Sequence, residues 1–408
     1  MPSPFEAVKL TDRVYWVGAI DWEIRNFHGY ATDRGTTYNA YLVLGEKNIL
    51  VDTVKAPFHD ELMARISSVV DPEKIDVLVS NHSEMDHTGC LPRVLRETRP
   101  ERIIASAMGE KALRAHFTDL PEIEVAKDGG RIEIGDVHLT FLETRMLHWP
   151  DSTFSYLEEE KILFSQDAFG MHLASTERYD DEIDDGVLYY EAAKYYANIL
   201  MPYSPLVAKL LAKVKEMSLP CDLIAPDHGP IWRSDFGRIC EHYERWSAQP
   251  MTGKAVIVYD TMWHSTEAMA HSISDGLSAK GISVNVVPLQ SATRADLATA
   301  TLEAGALLVG TPTLNNEMFP TLADALVYLK GLKPRNLIGA AFGSYGWSGE
   351  GVKRANAALE AMGVELVHDG LKVQYVPEDD DLVACREFGG EIGDELAKRV
   401  AASEEATK

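Results

Sequence analysis

IDVLVSNHSEMDH, at residues 75–87, is the most informative stretch of the chain. It opens with an apolar run that is typical of a buried strand. His82, Glu84, Asp86 and His87 follow directly, on a loop at the end of that strand. Four potential ligands this close together are polar and lie on both sides of any strand, so they do not form a packing face. The stretch therefore predicts a metal site and not a solvated turn.

Three further potential ligands, His148, Asp167 and His228, each follow a predicted strand in the same way. Those strands are predicted at residues 137–144, 161–165 and 221–225. With the first stretch, the chain offers four histidines, two aspartates and one glutamate. That set is sufficient for two metal ions that share one bridging carboxylate.

The ligand types also bear on which metal is bound. The set has no thiolate and has three carboxylates, which suit iron or manganese at least as well as zinc. In the corresponding zinc hydrolase motif, H-x-H-x-D-H, a histidine stands where this chain has Glu84. An anionic oxygen ligand at that position favours iron, although carboxylates also bind zinc.

Composition and charge exclude several classes of protein. The chain has 408 residues, of which 46% are hydrophobic and 25% charged, as in a soluble globular protein of two or three domains. Its 39 basic and 63 acidic residues give a net charge of −24, which would repel a nucleic-acid backbone. No apolar stretch approaches the ~20 residues of a membrane span, so no membrane association is expected.

Cysteine usage and the start of the chain indicate the cellular compartment. Residues 1–10 have no basic start followed by an apolar run, so no secretory signal is expected. The four cysteines form no C-x-x-C pair, which excludes a thiolate zinc knuckle and a rubredoxin-type iron site. We therefore predict a cytoplasmic protein with reduced thiols at Cys90, Cys221, Cys240 and Cys385.

A polar stretch with Pro and Gly at residues 247–253 predicts a linker, which divides the chain into domains at 1–250 and 251–408. Before it, strands are interspersed with helices. After it, strands and helices alternate strictly, which predicts a doubly wound parallel sheet of flavodoxin size. Its five buried strands are expected at residues 254–259, 283–288, 304–310, 337–342 and 364–368.

Three loops at the carboxyl edge of this second sheet predict bound flavin mononucleotide (FMN). Hydroxyl groups and free N–H groups at the start of a helix suit a phosphate without any basic residue. Trp347, between glycines, offers a flat face for a ring. The absence of G-x-G-x-x-G makes a dinucleotide a weaker candidate. The predicted flavin contacts are Thr261, Met262, Trp263, His264, Ser265, Thr266, Thr311, Pro312, Thr313, Leu314, Asn315, Ser344, Tyr345, Gly346, Trp347, Ser348 and Gly349.

The motif H-x-E-x-D-H at residues 82–87, with His148, Asp167 and His228 and the second domain, resembles the flavodiiron proteins, or A-type flavoproteins. The resemblance covers about residues 5 to 400. It implies an α/β fold in which an N-terminal metallo-β-lactamase-like αββα sandwich precedes a flavodoxin-like doubly wound parallel sheet. It also implies FMN, a non-haem diiron site, and reduction of dioxygen to water or nitric oxide to nitrous oxide.

The resemblance assigns roles to single residues. One iron would be held by His82, Glu84 and His148, the other by Asp86, His87 and His228, with Asp167 as the bridge. The histidine that matches His87 turns away from the metal in some members, so its ligation stays open. Tyr195 or Tyr196 resembles a tyrosine near the iron, and the sequence does not choose between them. His172 is a candidate for a residue beside the irons that does not bind them.

The resemblance also implies partners. Family members work as head-to-tail dimers, so a homodimer or a dimer of dimers is expected. The chain resembles the short form without a fused rubredoxin, and the electron donor would therefore be a separate rubredoxin or a reduced deazaflavin coenzyme. The sequence does not separate dioxygen from nitric oxide as the substrate.

Two other functions are compatible with parts of the sequence. One is a dizinc hydrolase of the metallo-β-lactamase type that carries a flavodoxin-like module, which Glu84 disfavours. The other is a non-catalytic electron carrier whose metal domain is a scaffold. The complete ligand set disfavours the carrier, since a decayed site should have lost some ligands.

Overall fold

The computed structural model describes residues 4–407, which fall into two compact units. The first unit runs to Tyr195 and includes Pro205–Glu244. The second consists of Tyr196–Ser204 and the chain from Arg245 onward.

The first unit is built on two sheets. Its strands are β1 (Val8–Lys9), β2 (Val14–Trp16), β3 (Ala19–Asp21), β4 (Asn26–Phe27), β5 (Tyr30–Ala31), β6 (Thr36–Tyr38), β7 (Tyr41–Val43), β8 (Asn48–Val51), β9 (Ile75–Ser80), β10 (Arg102–Ser106), β11 (Glu124–Ala126), β12 (Arg131–Ile134), β13 (Val137–Glu143), β14 (Thr153–Leu157), β15 (Ile162–Gln166) and β16 (Leu223–Pro226). One sheet has the order β1-β2-β7-β8-β9-β10-β11 and the other β12-β13-β14-β15-β16. The pairs β3–β6 and β4–β5 form small separate ribbons.

Helices are interspersed with these strands along the chain. They are α1 (His59–Ser67), α2 (Met85–Thr88), α3 (Leu91–Thr98), α4 (Ala107–His116), α5 (Asp185–Tyr195), α6 (Ser204–Met217) and α7 (Phe236–Ala248). Short 3-10 turns lie at Ala56–Phe58, Pro72–Lys74, Asp180–Glu182 and Met201–Tyr203, and one π-helical turn at Tyr196–Leu200.

Alternation of side chains along the strands creates two apolar layers around the first sheet. Tyr41 and Val51 face inward and share a core with Phe141 and Phe164 of the second sheet. Leu50 and its outward-facing neighbours pack against the helices α1 and α3 instead. On the outer face of the second sheet, side chains of α6 and α7 line an apolar cavity with strand residues. The unit is therefore an αββα sandwich, as predicted.

The strand ends place the predicted ligands. Four strands end just before segments that carry ligands. His82 follows β9, His148 follows β13, Asp167 follows β15 and His228 follows β16. The parallel pairing of β15 with β16 brings two of these ends side by side. Loops at the end of a rigid sheet can hold side chains in fixed positions, which a metal site requires.

The second unit is a parallel sheet between helices. Its strands are β17 (Lys254–Tyr259), β18 (Ser283–Pro288), β19 (Ala306–Gly310), β20 (Ile338–Tyr345), β21 (Glu365–Leu366) and β22 (Leu371–Gln374). Its helices are α8 (Ser265–Ser278), α9 (Arg294–Thr301), α10 (Pro320–Leu332), α11 (Glu350–Ala361) and α12 (Asp379–Thr407). The order β18-β17-β19-β20-β21, with every pair parallel, is that of a flavodoxin-like sheet.

Two strands of this sheet differ from the sequence prediction. β18 is an edge strand that is partly exposed, not buried. The single strand expected at 364–368 is replaced by β21 and β22, which pair with different parts of the long strand β20. Gly370, with φ of 105°, allows the turn that separates them.

No helix within residues 4–407 combines the length and the apolar character that a membrane span requires.

Candidate metal and flavin sites

The loop after β9 is fixed by hydrogen bonds on both sides of the motif. Asp52 accepts hydrogen bonds from the backbone N–H of Asn81 (2.7 Å) and from its side-chain amide (2.9 Å). The Thr88 hydroxyl donates to the carbonyl groups of Ser83 and Glu84, each at 2.9 Å. The short helix α2 starts directly after Glu84 and carries the remaining ligands of the motif.

One group of ligand atoms is formed by His82, Glu84, His148 and Asp167. The Nε2 atom of His82 lies 3.3 Å from Glu84 Oε2 and 3.2 Å from Asp167 Oδ2. The Nε2 atom of His148 lies 3.1 Å from each of the same two oxygens. Four potential ligand atoms from three separate loops therefore converge on one point.

A second group is formed by Asp86, His87 and His228, again with Asp167. The Nε2 atoms of His87 and His228 lie 3.3 and 3.2 Å from Asp86 Oδ2. Both lie 3.4 Å from Asp167 Oδ1. Asp167 thus turns one carboxylate oxygen to each group. The structure brings all seven predicted ligands together, including His87.

The chemistry of this cluster fits two metal ions. Two ligand atoms that each lie about 2.0–2.2 Å from the same ion, with a ligand–ion–ligand angle of roughly 90°, are ~3 Å apart. The separations between the ligand atoms in this cluster are close to that value. Two of the ligand atoms, His87 Nε2 and Asp167 Oδ2, are buried without a hydrogen-bond partner among the residues that the structure describes. Buried polar atoms normally have a hydrogen-bond partner, because burying them without one costs free energy. A bound cation would take the place of the missing partner.

Groups outside the cluster orient the histidines. The Nδ1 atom of His82 lies 3.2 Å from Asp151 Oδ2, and that of His228 lies 2.6 Å from the Thr37 carbonyl oxygen. The Nδ1 atom of His87 lies 3.6 Å from a carboxylate oxygen of Asp227. A hydrogen bond at Nδ1 fixes the rings of His82 and His228 and leaves Nε2 to face a metal, whereas His87 and Asp227 are too far apart for such a bond. Asp151 and Asp227 were not predicted as site residues, because sequence spacing does not show which carboxylate lies behind a histidine.

The carboxylates give the cluster a strongly negative environment. Burial lowers the pKa of His87, but Asp86 and other nearby carboxylates more than offset this and raise it to about 10. Burial also lowers the pKa of His148, but the nearby carboxylates of Asp167 and Glu84 raise it to about 9. A field that holds protons on imidazoles this firmly also attracts divalent cations, which would displace those protons.

The structure separates the two candidate tyrosines. The Tyr195 hydroxyl donates a hydrogen bond to Asp167 Oδ1 at 3.0 Å, and burial raises its pKa well above the ordinary value, so it stays protonated. The Tyr196 hydroxyl lies instead 3.1 Å from Ser204 Oγ, and its ring packs on Trp246. Helix α5 ends between the two residues, and adjacent helical side chains point about 100° apart.

His172 lies beside the second group. Its ring is 4.8 Å from that of His228 and 5.0 Å from that of Tyr195, measured between centroids. Its Nδ1 atom is 2.9 Å from the Thr36 hydroxyl, whereas Nε2 is buried without a hydrogen-bond partner in the described part of the chain. Burial and the neighbouring His228 lower the pKa of His172 well below its ordinary value, so the ring is neutral.

The second unit contains an open pocket of about 690 Å³ at the carboxyl edge of its sheet. The three predicted loops form most of its wall, and helix α8 begins beside it at Ser265. The predicted residues that line it are Met262, Trp263, Ser265, Pro312, Thr313, Leu314, Asn315, Ser344, Tyr345, Gly346, Trp347 and Ser348. Its size and the mix of apolar walls with a few polar groups suit a flavin.

Five predicted flavin contacts do not line this pocket. Thr266 is buried with its hydroxyl 3.2 Å from Ser344, and the Thr311 hydroxyl accepts a hydrogen bond from Phe319 N–H. The others are Thr261, which is buried, His264 and Gly349, which precede helices α8 and α11. Residues of a tight loop point in different directions, and loop sequence alone does not show which of them line a pocket.

Three further residues line the pocket: Asn316, Tyr375 and Val376. Tyr375 and Val376 directly follow β22 and are 63% and 72% exposed. The sequence prediction missed them because it ended the fifth strand at residue 368. A strand that ends at Gln374 places the next residues at the same sheet edge as the other loops around the pocket.

The fold and the two sites define a metalloflavoprotein, with a dinuclear histidine–carboxylate site in an αββα sandwich and a flavin pocket in a flavodoxin-like sheet. The model of the ODP family of β-lactamases matches residues 36–229, and that of flavodoxin matches residues 257–389. A nitric oxide reductase of Moorella thermoacetica is 46% identical over 96% of this chain and 99% of its own. A rubredoxin-oxygen oxidoreductase of Megalodesulfovibrio gigas is 42% identical over 97% and 100%.

Among solved structures, the flavodiiron protein from Giardia intestinalis superimposes with a TM-score of 0.95 and 31% sequence identity. That similarity covers 99% of this chain and 100% of the Giardia chain. The chain belongs to the flavodiiron protein family. Members carry FMN and a diiron site, which the flavin pocket and the seven-residue cluster accommodate.

Proposed function

We propose that this protein passes electrons from an external donor through FMN to a diiron centre that reduces dioxygen to water, nitric oxide to nitrous oxide, or both. The observation that carries the proposal is the placement of Asp167, whose two oxygens face two separate groups of ligand atoms. A carboxylate in that position can bridge two ions and offset the repulsion between them. His82, Glu84 and His148 would hold one iron, and Asp86, His87 and His228 the other.

The side chains around the ligand cluster suit a small apolar substrate. Tyr195 directs its hydroxyl proton at Asp167 and stabilises negative charge on that carboxylate. His172 holds a neutral ring beside the second group. Phe27 and the buried Tyr30 pack on the His172 ring and exclude water from that side. Exclusion of water limits the escape of partly reduced products.

Bound FMN and two ferrous ions supply the electrons: two are needed to convert two nitric oxide molecules to nitrous oxide and water, and four to convert dioxygen to two waters. The chain itself contributes position, electrostatics and exclusion of solvent. Both substrates are diatomic and would occupy the same pair of ions. The names of the relatives include a nitric oxide reductase and an oxygen oxidoreductase, so both substrates stay in the proposal.

We further propose a separate electron donor, rubredoxin or a reduced deazaflavin coenzyme, and a head-to-tail homodimer or a dimer of such dimers in the cytoplasm. Trp263 and Trp347 support a partner at the flavin pocket, because their side chains are 86% and 87% exposed there. Large exposed aromatic side chains commonly mark a contact surface.

A dizinc hydrolase is the weaker alternative. Glu84 Oε2 lies within 3.3 Å of both histidines of its group, so a carboxylate occupies the ligand position that is a histidine in the hydrolase motif. The named relatives are oxidoreductases, which favours the redox function.

Asp167→Ala tests the bridging role. We expect the variant to lose more metal than any single His→Ala change in the cluster, because only Asp167 faces both groups. The measurement is metal content per chain after anaerobic reconstitution with Fe²⁺. FMN content is the folding control, and Asp12→Ala, at a carboxylate that is 97% exposed, is the matched control. Two metals retained by Asp167→Ala would contradict the bridge.

A further inference from the structure

Glu84 presents its two carboxylate oxygens to different neighbours. Oε2 faces the metal group, 3.3 Å from His82 Nε2 and 3.1 Å from His148 Nε2. Oε1 faces the opposite way and lies 3.0 Å from Nε2 of His28. Glu84 is buried, whereas the His28 side chain is 74% exposed. His28 thus stands at the mouth of the site and contacts the one oxygen of Glu84 that does not face the metal group.

A tight hairpin determines where His28 lies. Strands β4 and β5 pair in antiparallel register and are joined by the two residues His28 and Gly29. Both have positive φ, 54° and 84°, as a type I′ hairpin turn requires. The Asn26 side chain accepts a hydrogen bond from Gly29 N–H at 2.9 Å, which closes the turn. The turn fixes the direction of the His28 Cα–Cβ bond.

Aromatic packing holds the hairpin against the site. The Phe27 ring lies 5.2 Å from the His172 ring and 6.5 Å from the His228 ring, centroid to centroid. Tyr30, on the other strand, lies 5.1 Å from the His172 ring and is 3% exposed. Because both strands of the hairpin are anchored, the backbone of His28 is held within reach of Glu84.

We propose that His28 is a positioning residue that keeps Glu84 monodentate. A His28 ring that carries a proton on Nε2 donates to Glu84 Oε1, so that Oε2 is left to bind the ion. Without that donor, Oε1 can rotate inward, because carboxylates bind metals through one oxygen or two. A second bound oxygen would occupy a coordination position that the substrate needs. This inference rests on the proposed dinuclear centre.

Cobalt reconstitution of the whole protein tests the inference without any assay of activity. Co²⁺ with fewer ligands absorbs visible light more strongly than Co²⁺ with more ligands, so absorbance per bound ion reports on the coordination number. In His28→Phe we expect an unchanged cobalt content and a fall in absorbance per ion of at most about half, since one of the two ions gains a ligand. His28→Gln, which restores an N–H donor of similar reach, should recover the wild-type spectrum. His28→Ala replaces the Phe variant if the larger ring disturbs folding.

His271→Phe is the control, because His271 is exposed and lies on α8 in the second unit, outside the groups of metal-binding side chains. Its cobalt spectrum should match the wild type. If wild-type protein binds no Co²⁺, the proposed metal centre fails and the role of His28 fails with it. If the wild type binds Co²⁺ and His28→Phe and His28→Ala give the same spectrum as wild type, the centre stands and the inference about His28 is overturned.

Discussion

Asp151→Asn should weaken metal binding at one of the two ion positions while leaving the fold intact. Asp151 Oδ2 accepts a hydrogen bond from Ser83 N–H at 2.6 Å and lies 3.2 Å from His82 Nδ1. Burial raises the pKa of Asp151, but His82 and Ser83 lower it below the ordinary value, so the carboxylate is ionised at neutral pH. Asparagine has the same shape and keeps an acceptor oxygen, so the change removes mainly the charge.

The size of the effect follows from the geometry. The path from Asp151 through the His82 ring and a metal–nitrogen bond of about 2 Å places the charge ~7 Å from the ion. With an effective dielectric constant of about 20, a unit charge and a divalent ion at that distance interact by ~5 kcal/mol, which is an upper bound. Substitutions of such outer carboxylates typically weaken metal binding by about 10- to 100-fold, or ~1.4–2.7 kcal/mol. We expect a loss in that range.

The assay is anaerobic competition for Fe²⁺ between the protein and a chelator, which resolves two binding constants. Only the constant for the ion held by His82, Glu84 and His148 should change substantially. Asp12→Asn, at a carboxylate that is 97% exposed, is the control and should match the wild type. Two unchanged constants in Asp151→Asn would refute the argument that Asp151 acts on the metal through His82.

Three further predictions concern the metal choice, the flavin and stability. Glu84→His should shift metal preference from iron towards zinc, so that gas consumption falls while donor-dependent flavin reduction continues. Trp347→Ala should weaken FMN binding by about 2- to 12-fold in a flavin fluorescence titration, as loss of a ring contact of ~0.5–1.5 kcal/mol predicts; Trp22→Ala, in the first unit, should not. Burial raises the pKa of Glu303, but Lys254, at 2.8 Å, lowers it below the ordinary value. The ionised Glu303 therefore stabilises the folded state above about pH 4.3, and this stabilisation is lost as pH falls through the lower folded-state pKa. Glu303→Gln should lower the free energy of unfolding at pH 7 by about 1 kcal/mol and should have less effect in acid.

The parts of the fold that were predictable from the sequence are those with a local signal. The apolar run before His82 is the strand β9, and the alternation after residue 253 is the parallel sheet. Strands with a weaker pattern were missed. β10 and β11 were not predicted, and the hairpin of β4 and β5 is too short to show any periodicity.

Prediction of the candidate site was likewise limited to features with a local sequence signal. Potential ligands at strand ends predicted a two-metal cluster, because the ends of strands meet at a sheet edge whatever conformation the loops adopt. Contacts that depend on side-chain direction were not predictable. Tyr195 and Tyr196 are neighbours in sequence, but only Tyr195 contacts Asp167. His28 is 56 residues from Glu84, and only the folded hairpin brings the two together.

The central claim is that the cluster is a redox-active diiron centre supplied by FMN. The most direct test is metal and flavin analysis of the full chain purified without oxygen, combined with anaerobic addition of dioxygen or nitric oxide to the reduced protein. We expect about two irons and one FMN per chain, and consumption of at least one of the gases. Two zincs per chain without gas consumption, or a protein that holds flavin but no metal, would contradict it.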